Sequence, residues 1–164
     1  MTAKVSIIIG SESDLDLANK CGDVLKTINI DYSINVFSAH RTPDLLHDHI
    51  QRSEEGGTEI YIAIAGLAAH LAGSIASKTV KPVIGIPGDG GPLNGFDSLL
   101  STVQMPKGIP VATVAVGSAG AANAGYLAAQ ILSLKYKEIA ESLISIRESN
   151  KKQVQETNKK LSDS

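Results

Sequence analysis

The stretch that decides the fold is Val5-Ser6-Ile7-Ile8-Ile9-Gly10-Ser11-Glu12-Ser13-Asp14. Its first half, Val5 to Ile9, is a short apolar run with β-branched residues, which is typical of a strand buried on both faces of a sheet. Gly10 ends the run, and the polar residues after it are of the kinds that cap helices. Apolar residues at roughly helical spacing then continue as far as Ile28. The stretch therefore predicts a strand, a turn and a helix.

Similar strand patterns recur four times further along the chain. They predict strands at residues 32–37, 60–65, 82–86 and 111–116, and helices at 44–55, about 68–77, 96–104, 117 to about 132, and from about 136 onward. Because right-handed crossovers place helices on both faces of a parallel sheet, this order predicts a three-layer, flavodoxin-like α/β fold with five parallel strands and an extra C-terminal helix. We expect one domain over residues 1–164. The polar tail, 151–164, is expected to be frayed at its end or used at a subunit contact.

Composition narrows the function classes. The formal net charge is -2, from 15 basic and 17 acidic residues, so no charge surplus favours nucleic acid or an anionic membrane. Cys21 is the only cysteine, which excludes an internal disulfide, and it is expected to be a small buried hydrophobic residue in a reducing compartment. The N-terminus does not resemble a secretory signal, and no apolar run is long enough to span a membrane. We expect a cytoplasmic protein.

Open parallel sheets bind ligands beyond the carboxyl ends of their strands, which here points to the turns at residues 10–14, 38–43 and 65–71. In the first turn, Ser11 could help to hold a phosphate at a helix N-terminus, and Asp14 could accept hydrogen bonds from sugar hydroxyls. An equally good interpretation is that Ser11 only caps the helix and Asp14 only favours its dipole. The turn matches neither GxGxxG nor a P-loop, so the sequence does not favour a dinucleotide or ATP as the ligand.

The second turn, Ser38-Ala39-His40-Arg41-Thr42-Pro43, places three polar groups at one strand end. Arg41 can hold a phosphate with its planar set of donors, Ser38 can add a hydroxyl, and His40 can exchange protons near neutral pH. The alternative is that Arg41 forms a surface ion pair and His40 is only a turn residue. Placement at the end of a strand favours function.

The third turn is small and apolar around one histidine, His70. Such a lining, with Ala65, Gly66 and Leu71, excludes water and lets backbone N–H groups approach a ligand. Taken alone, His70 is more often a structural residue. His47 and His49 on the predicted second helix are expected to be solvated or packing residues. No histidine pair has the i, i+4 spacing with a carboxylate that zinc hydrolases use, so we predict no metal.

Several separate motifs in order make the chain resemble one known family. They are Gly10-Ser11-Glu12-Ser13-Asp14, Ser38-Ala39-His40-Arg41-Thr42-Pro43, Ala68-Ala69-His70-Leu71, Asp97-Ser98-Leu99-Leu100-Ser101, Gln104-Met105-Pro106 and Gly120-Ala121-Ala122-Asn123-Ala124. From about residue 5 to 132, the chain resembles the N5-carboxyaminoimidazole ribonucleotide mutases, the bacterial-type class of phosphoribosylaminoimidazole carboxylase.

The resemblance implies an isomerase of purine biosynthesis that works without metal, ATP or biotin. It implies that His40 is the general acid and base, that Ser11, Asp14 and Arg41 bind the ribonucleotide, and that Ser38 assists at the phosphate. Backbone around Ala65, Gly66 and Leu71 would line a carboxylate pocket. The family forms octamers, in which His70 and the region of Gln104 would act across a subunit contact. A separate ATP-dependent enzyme would make the unstable substrate.

The sequence departs from the family pattern at two positions in the third turn. Leu67 stands where the family usually has Gly, and Ala72 stands where it usually has Pro. Two other functions stay open. One is the related carboxylase that uses free carbon dioxide, against which Arg41 and the Ala68-Ala69-His70 turn argue. The other is a non-enzymatic nucleotide-binding module, since this fold has many functions.

Overall fold

The computed structural model describes residues 3–162, and its centre is a five-stranded, all-parallel sheet in the order β2-β1-β3-β4-β5. The strands are β1 (Val5–Ile9), β2 (Tyr32–Val36), β3 (Ile60–Ala65), β4 (Val83–Pro87) and β5 (Ala112–Thr113). The helices are α1 (Leu15–Thr27), α2 (Pro43–Glu55), α3 (Leu71–Ala76), α4 (Phe96–Val103), α5 (Gly117–Ser133) and α6 (Lys137–Ser162), with a short 3-10 turn at Glu12–Asp14. This strand order confirms the flavodoxin-like prediction.

Strand β1 lies inside the sheet and sets its register. All five of its residues are buried. Ile9, its last residue, pairs with Val36 on β2 and with Ile64 on β3, and Ile64 in turn pairs with Ile86 on β4. The carboxyl ends of four strands therefore reach the same level, and the turns that follow them meet at one edge of the sheet.

Two apolar layers cover the sheet. On one face, Ile7 and Ile9 pack with α1, α5 and the start of α6. On the other face, Ile8 and Tyr61 pack with α2 and α3. The alternation of Ile7, Ile8 and Ile9 between the two layers follows from the two-residue period of a strand. It explains why β1 is apolar without interruption from Ile7 onward.

Glycine and alanine bring α5 close to its neighbours. A Cβ at Gly125 would lie 2.9 Å from the carbonyl oxygen of Cys21 on α1. A Cβ at Gly120 would lie 1.6 Å from the carbonyl oxygen of Ala115. Cys21 itself is a fully buried free thiol, as predicted, and burial raises the pKa of that thiol to about 12. The thiol is therefore in its unreactive protonated form in the folded protein.

Strand β5 and helix α3 differ most from the sequence prediction, whereas several other elements differ by one residue at an end. Strand β5 has only two residues instead of six, because it is an edge strand and the chain turns away after Val114, whose N–H still bonds the carbonyl of Gly85 at 3.1 Å. Helix α3 begins at Leu71 instead of about residue 68, because tight turns occupy residues 67–70. The polar tail is helical as far as Ser162. Its end, residues 163–164, lies outside the described residues, so fraying or a subunit contact there stays a prediction.

None of the helices within residues 3–162 combines the length and the apolar character that a membrane span needs.

Gly120→Ala should destabilise the protein by about 1–3 kcal/mol, because the new methyl group would overlap a backbone oxygen that cannot move alone. Urea unfolding measures this as a lower midpoint with an unchanged slope. The exposed Gln130→Ala on the same helix is the control and should change stability by no more than about 0.5 kcal/mol. Equal stability of Gly120→Ala and the wild type would contradict the close contact.

Candidate active site

In the first turn, Ser11 caps the 3-10 turn and Asp14 has a half-buried carboxyl group. The Ser11 hydroxyl accepts a hydrogen bond from the Ser13 N–H at 3.4 Å, so its capping role is present. That long bond leaves the Ser11 O–H free to donate to a ligand. Asp14 makes no side-chain capping bond at the start of α1. Burial raises the pKa of the Asp14 carboxyl, and a hydrogen bond from the Ser11 backbone opposes this effect.

The second turn is held rigid by its own hydrogen bonds. The Thr42 hydroxyl accepts from the Ser38 N–H at 3.0 Å and donates to the Ser38 carbonyl at 3.1 Å. The Ser38 hydroxyl accepts from the Arg41 N–H at 3.1 Å. These bonds satisfy backbone groups ahead of α2, which starts with Pro43, a residue suited to the first turn of a helix.

Arg41 joins the second turn to the first. Its Nη2 donates to the carbonyl oxygen of Gly10 at 3.3 Å, and no ion pair with a carboxylate is formed within residues 3–162. The proposed surface ion pair is therefore not what holds Arg41. A guanidinium has five N–H donors, so most of them remain available to an anionic ligand.

The third turn brings the two candidate histidines into contact. His40 Nε2 and His70 Nδ1 are 2.7 Å apart, and the rings meet edge to face with centroids 4.9 Å apart. The distance is that of a hydrogen bond, in which one ring donates its N–H to the nitrogen of the other. Both side chains are exposed to the cleft described below. The sequence placed these histidines 30 residues apart and did not predict their pairing.

Leu67 shows why glycine suits its position. Its φ is +54°, in the left-handed region that costs a leucine roughly 1–2 kcal/mol. The N–H groups of Ala69 and His70 bond the carbonyls of Leu67 and Ala68 at 2.9 and 2.8 Å, which gives the tight turns ahead of α3. Ala72 is the second residue of α3, where proline is tolerated, so alanine also fits.

All nine predicted site residues line one cleft of about 890 Å³ at the carboxyl edge of the sheet. They are Ser11, Asp14, Ser38, His40, Arg41, Ala65, Gly66, His70 and Leu71. A Cβ at Gly66 would meet no protein atom within 4 Å. The glycine therefore keeps cleft volume open.

A fourth segment lines the cleft and was missed by the sequence analysis. It is the glycine loop, residues 88–91, which follows β4. The Gly88 N–H bonds the Ala65 carbonyl at 2.9 Å, and the buried Ser98 hydroxyl donates to the Gly88 carbonyl at 2.6 Å. Two hydrogen bonds thus fix the base of the loop. Ligands bind beyond the carboxyl ends of parallel strands, and this rule applies to β4 as it does to β1, β2 and β3. It could therefore have predicted that the glycine loop lines the cleft.

The start of α5 and one face of α1 supply further lining residues. Lys20 Nζ donates to the Ser118 hydroxyl at 2.9 Å and bridges the two helices at the cleft. Asp16 lies one turn before Lys20 on α1. The i, i+4 spacing puts Asp16 and Lys20 on one face of α1, and this spacing is the sequence feature that could have indicated a polar face at the cleft.

The other two histidines lie outside the cleft. His49 Nε2 is 3.0 Å from the hydroxyl of the buried Ser6, and its ring packs on Phe37 at 4.7 Å. Burial, and then the charge of Arg52, lower the pKa of His49. His49 is thus the packing residue that was expected, and His47 is half-buried on the same helix. Among residues 3–162, no three histidine, cysteine or acidic side chains are grouped as metal ligands would be.

These features define a class: a flavodoxin-like α/β protein whose strand-end cleft carries a histidine pair next to an arginine that bridges two turns. The sequence model of one family, described as AIR carboxylase, matches residues 4–153. The chain belongs to this AIR carboxylase family.

Named relatives agree with the family match. The chain is 53% identical to the N5-carboxyaminoimidazole ribonucleotide mutase of Pyrococcus abyssi over 149 residues, which are 91% of this chain and 84% of that protein. It is 48% identical to the mutase of the same name from Bacillus subtilis, over 98% of this chain and 99% of that protein. For the Escherichia coli mutase the identity is 47%, over 94% and 91% of the two chains.

Solved structures have the same fold. A crystal structure of Treponema denticola PurE superposes with a TM-score of 0.87 at 35% identity and covers 96% of this chain and 97% of that one. A variant of Treponema denticola PurE2 superposes with a TM-score of 0.89 at 34% identity, covering 98% and 99%.

Arg41→Ala should weaken the binding of 5′-phosphorylated nucleotides by about tenfold or more, because a hydrogen bond to a charged group contributes about 1.5–3 kcal/mol. Calorimetric titration with a nucleoside monophosphate and its unphosphorylated nucleoside measures the difference. The exposed Arg52→Ala on α2, outside the cleft, is the matched control and should bind like the wild type. Unchanged phosphate discrimination in Arg41→Ala would assign Arg41 a purely structural role.

Proposed function

We propose that this chain is an isomerase of purine biosynthesis that converts N5-carboxyaminoimidazole ribonucleotide to 4-carboxy-5-aminoimidazole ribonucleotide. The observation that carries the proposal is the contact between His40 and His70 in a cleft lined by small residues. The names of relatives at 47–53% identity over most of the chain support it.

The phosphate end of the substrate fits the first two turns. Arg41 offers its free guanidinium N–H groups, and Ser11 and Ser38 offer hydroxyl groups near the N-termini of α1 and α2. Asp14 offers carboxylate oxygens to the ribose hydroxyls. The bond from Arg41 to the Gly10 carbonyl supports this assignment, because it keeps the two turns together before ligand arrives.

The reacting end fits the third turn. Small residues at Ala65, Gly66 and Ala68 leave room for a flat heterocycle and its carboxylate, and Leu71 adds backbone at the start of α3. Few side-chain atoms lie there, so backbone N–H groups would contact the carboxylate directly.

The proposed reaction transfers carbon dioxide and a proton and needs no electron acceptor. The carbamate C–N bond breaks, carbon dioxide is released into the cleft, and the electron pair remains on nitrogen, which takes a proton. The nitrogen lone pair then makes the ring carbon nucleophilic, a C–C bond forms to the carbon dioxide, and the ring carbon loses its proton. One proton has moved from carbon to nitrogen, and no atom or electron is left over.

His40 is the group proposed to carry that proton. Imidazole exchanges protons near neutral pH, so one residue can donate to nitrogen and later accept from carbon. The hydrogen bond to His70 orients the His40 ring toward the cleft's third turn. Because proton transfer is the only assistance that the proposed reaction needs, it requires neither a metal nor an organic cofactor.

The proposed assembly is a homo-oligomer, an octamer by the family resemblance. Exposed apolar side chains on α4 support it, since Phe96, Leu100 and Val103 are 61%, 41% and 47% exposed in the single chain. Partner subunits would then cover cleft openings close to His70. We place the protein in the cytoplasm, beside the ATP-dependent enzyme that would make its labile carbamate substrate.

His40→Asn should fold normally and bind the ribonucleotide, but turn over about 10²- to 10⁴-fold more slowly, as expected for loss of a general acid and base. Steady-state rates and ligand titration measure the two effects separately. The matched control is His47→Asn, on α2 and outside the cleft, which should keep wild-type turnover. Near-normal turnover by His40→Asn would refute the catalytic role of His40, whereas nucleotide binding without any turnover by the wild type would favour a non-enzymatic binding module.

The decisive experiment follows the transferred carbon. With isotope label on the substrate carbamate and unlabelled bicarbonate at low concentration, most label should appear in the product, because confinement keeps the released carbon dioxide beside the ring carbon. Mass spectrometry of the product measures the retained fraction. Product carrying mainly carbon from the medium would instead assign the chain to the carboxylases that use free carbon dioxide.

A further inference from the structure

His49 lies behind the second turn and joins two elements there. Its ring packs on the ring of Phe37, with centroids 4.7 Å apart, and its Nε2 is 3.0 Å from the hydroxyl oxygen of Ser6. Ser6 is a fully buried residue of β1 on the same face of the sheet as Ile8, because side chains two residues apart in a strand point the same way. The ring of His49 therefore provides a hydrogen-bond partner for a hydroxyl group that water does not reach.

Phe37 connects this contact to the candidate active site. Its N–H bonds the Ile9 carbonyl at 3.0 Å, and the next residue along the chain is Ser38, the first of the second turn. Phe37 and Ala39, on either side of Ser38, both pack against the core layer between the sheet and α2. The placement of the Phe37 side chain therefore helps to fix where the second turn begins.

The surroundings of His49 disfavour a charge on its ring. Burial, and then the positive charge of Arg52 on the same helix, lower the pKa of His49. From the sheet, β1 and the end of β2 present Ser6 and Phe37, which do not titrate, and Tyr61 of β3 stays neutral because burial raises the pKa of its phenol. In the part of the chain that the structure describes, no carboxylate forms an ion pair with His49, so no anion offsets these effects.

Protonation of His49 consequently loosens the packing behind the turn. The side chain is half-buried, so a change of rotamer brings the ring to water, where the charged imidazolium is more stable than in its packed position. The packed ring binds a proton less readily than the exposed ring does. The packed form is therefore fully favoured above the ordinary histidine pKa of about 6.5 and loses that advantage as the pH falls through the lowered pKa of His49.

We propose that His49 is a positioning residue that places the second turn, and that its protonation in mildly acidic solution weakens nucleotide binding by releasing that turn. The inference rests on the proposed mutase function, because it takes the second turn as part of the phosphate site. His49 lies outside the cleft and contacts no substrate. It acts through Phe37 on a turn whose preorganisation contributes to affinity.

The test measures the affinity for 4-carboxy-5-aminoimidazole ribonucleotide, the proposed product, at about pH 7.5 and about pH 5.5, on either side of the ordinary histidine pKa. Calorimetric titration compares the full-length wild type with the double variant Ser6→Ala/His49→Phe. This variant keeps an aromatic ring against Phe37 and removes both polar partners together, a change that is nearly neutral for stability. His47→Asn is the matched control, because His47 lies on the same helix and outside the cleft.

All three proteins should bind the nucleotide alike at the higher pH. On acidification, the wild type and His47→Asn should lose at least roughly threefold more affinity than the double variant, because only they carry an imidazole behind the turn. Ionisation of the ligand and of the two cleft histidines is common to all three proteins and cancels in the comparison. A purely structural role for His49 would change how the melting temperature depends on pH without producing this difference in affinity.

An equal loss of affinity in the wild type and the double variant would overturn the proposal. His49→Gln keeps a hydrogen-bonding group for Ser6 and does not titrate, so it should show the same small loss, and it takes the place of the double variant if that protein does not fold. If neither variant folds, His49 supports the core as a whole and the positioning role is wrong. Failure of the wild type to bind the nucleotide at the higher pH would refute the proposed function, whereas binding with an equal pH response in all proteins removes only the role of His49.

Discussion

The pairing of β1 with both β2 and β3 is the constraint on which the site depends. Ile9 is opposite Val36 on one side and Ile64 on the other, and Ile64 is opposite Ile86. A shift of one residue in any of these pairs would exchange the two faces of a strand and bury the wrong side chains. Because β1 and β3 have side chains in both core layers, each must fit two sets of neighbours at once, and the observed register starts four turns at the same level.

Small residues then allow two of those turns to lie close to each other. A Cβ at Gly88 would lie 3.2 Å from the backbone of Gly66, so the turns after β3 and β4 pack backbone against backbone. The polar turns are joined differently, by the bond from Arg41 to Gly10 and by the contact of His40 with His70. One half of the cleft is therefore lined by backbone and methyl groups, and the other half by groups that carry charge or protons. A ribonucleotide has the same division, with a phosphorylated sugar at one end and a heterocycle at the other.

Prediction from sequence succeeded for elements whose structure depends on the residues of that element alone. The buried strands β1 and β3 were predicted with their observed bounds, because continuous apolar runs next to glycine are unambiguous in this class of fold. It failed at β5, whose six predicted residues include only two in the sheet, because the chain leaves this edge of the sheet after Val114 although β4 continues to Pro87. It failed again before α3, because the left-handed conformation of Leu67 is not a property that leucine signals in a sequence.

By itself, the sequence determined the alternation of strands and helices, the edge of the sheet where a ligand is expected, and the nine residues that line the cleft there. These follow from local hydrophobic periodicity, from capping residues and from recognisable motifs, all of which are properties of neighbouring residues. Only the tertiary structure decided that His40 is hydrogen-bonded to His70, that Arg41 bonds Gly10, and that Leu67 lies against the glycine loop. Those contacts join residues 24 to 31 positions apart, and their distances are set by strand register and helix packing, which no local pattern encodes.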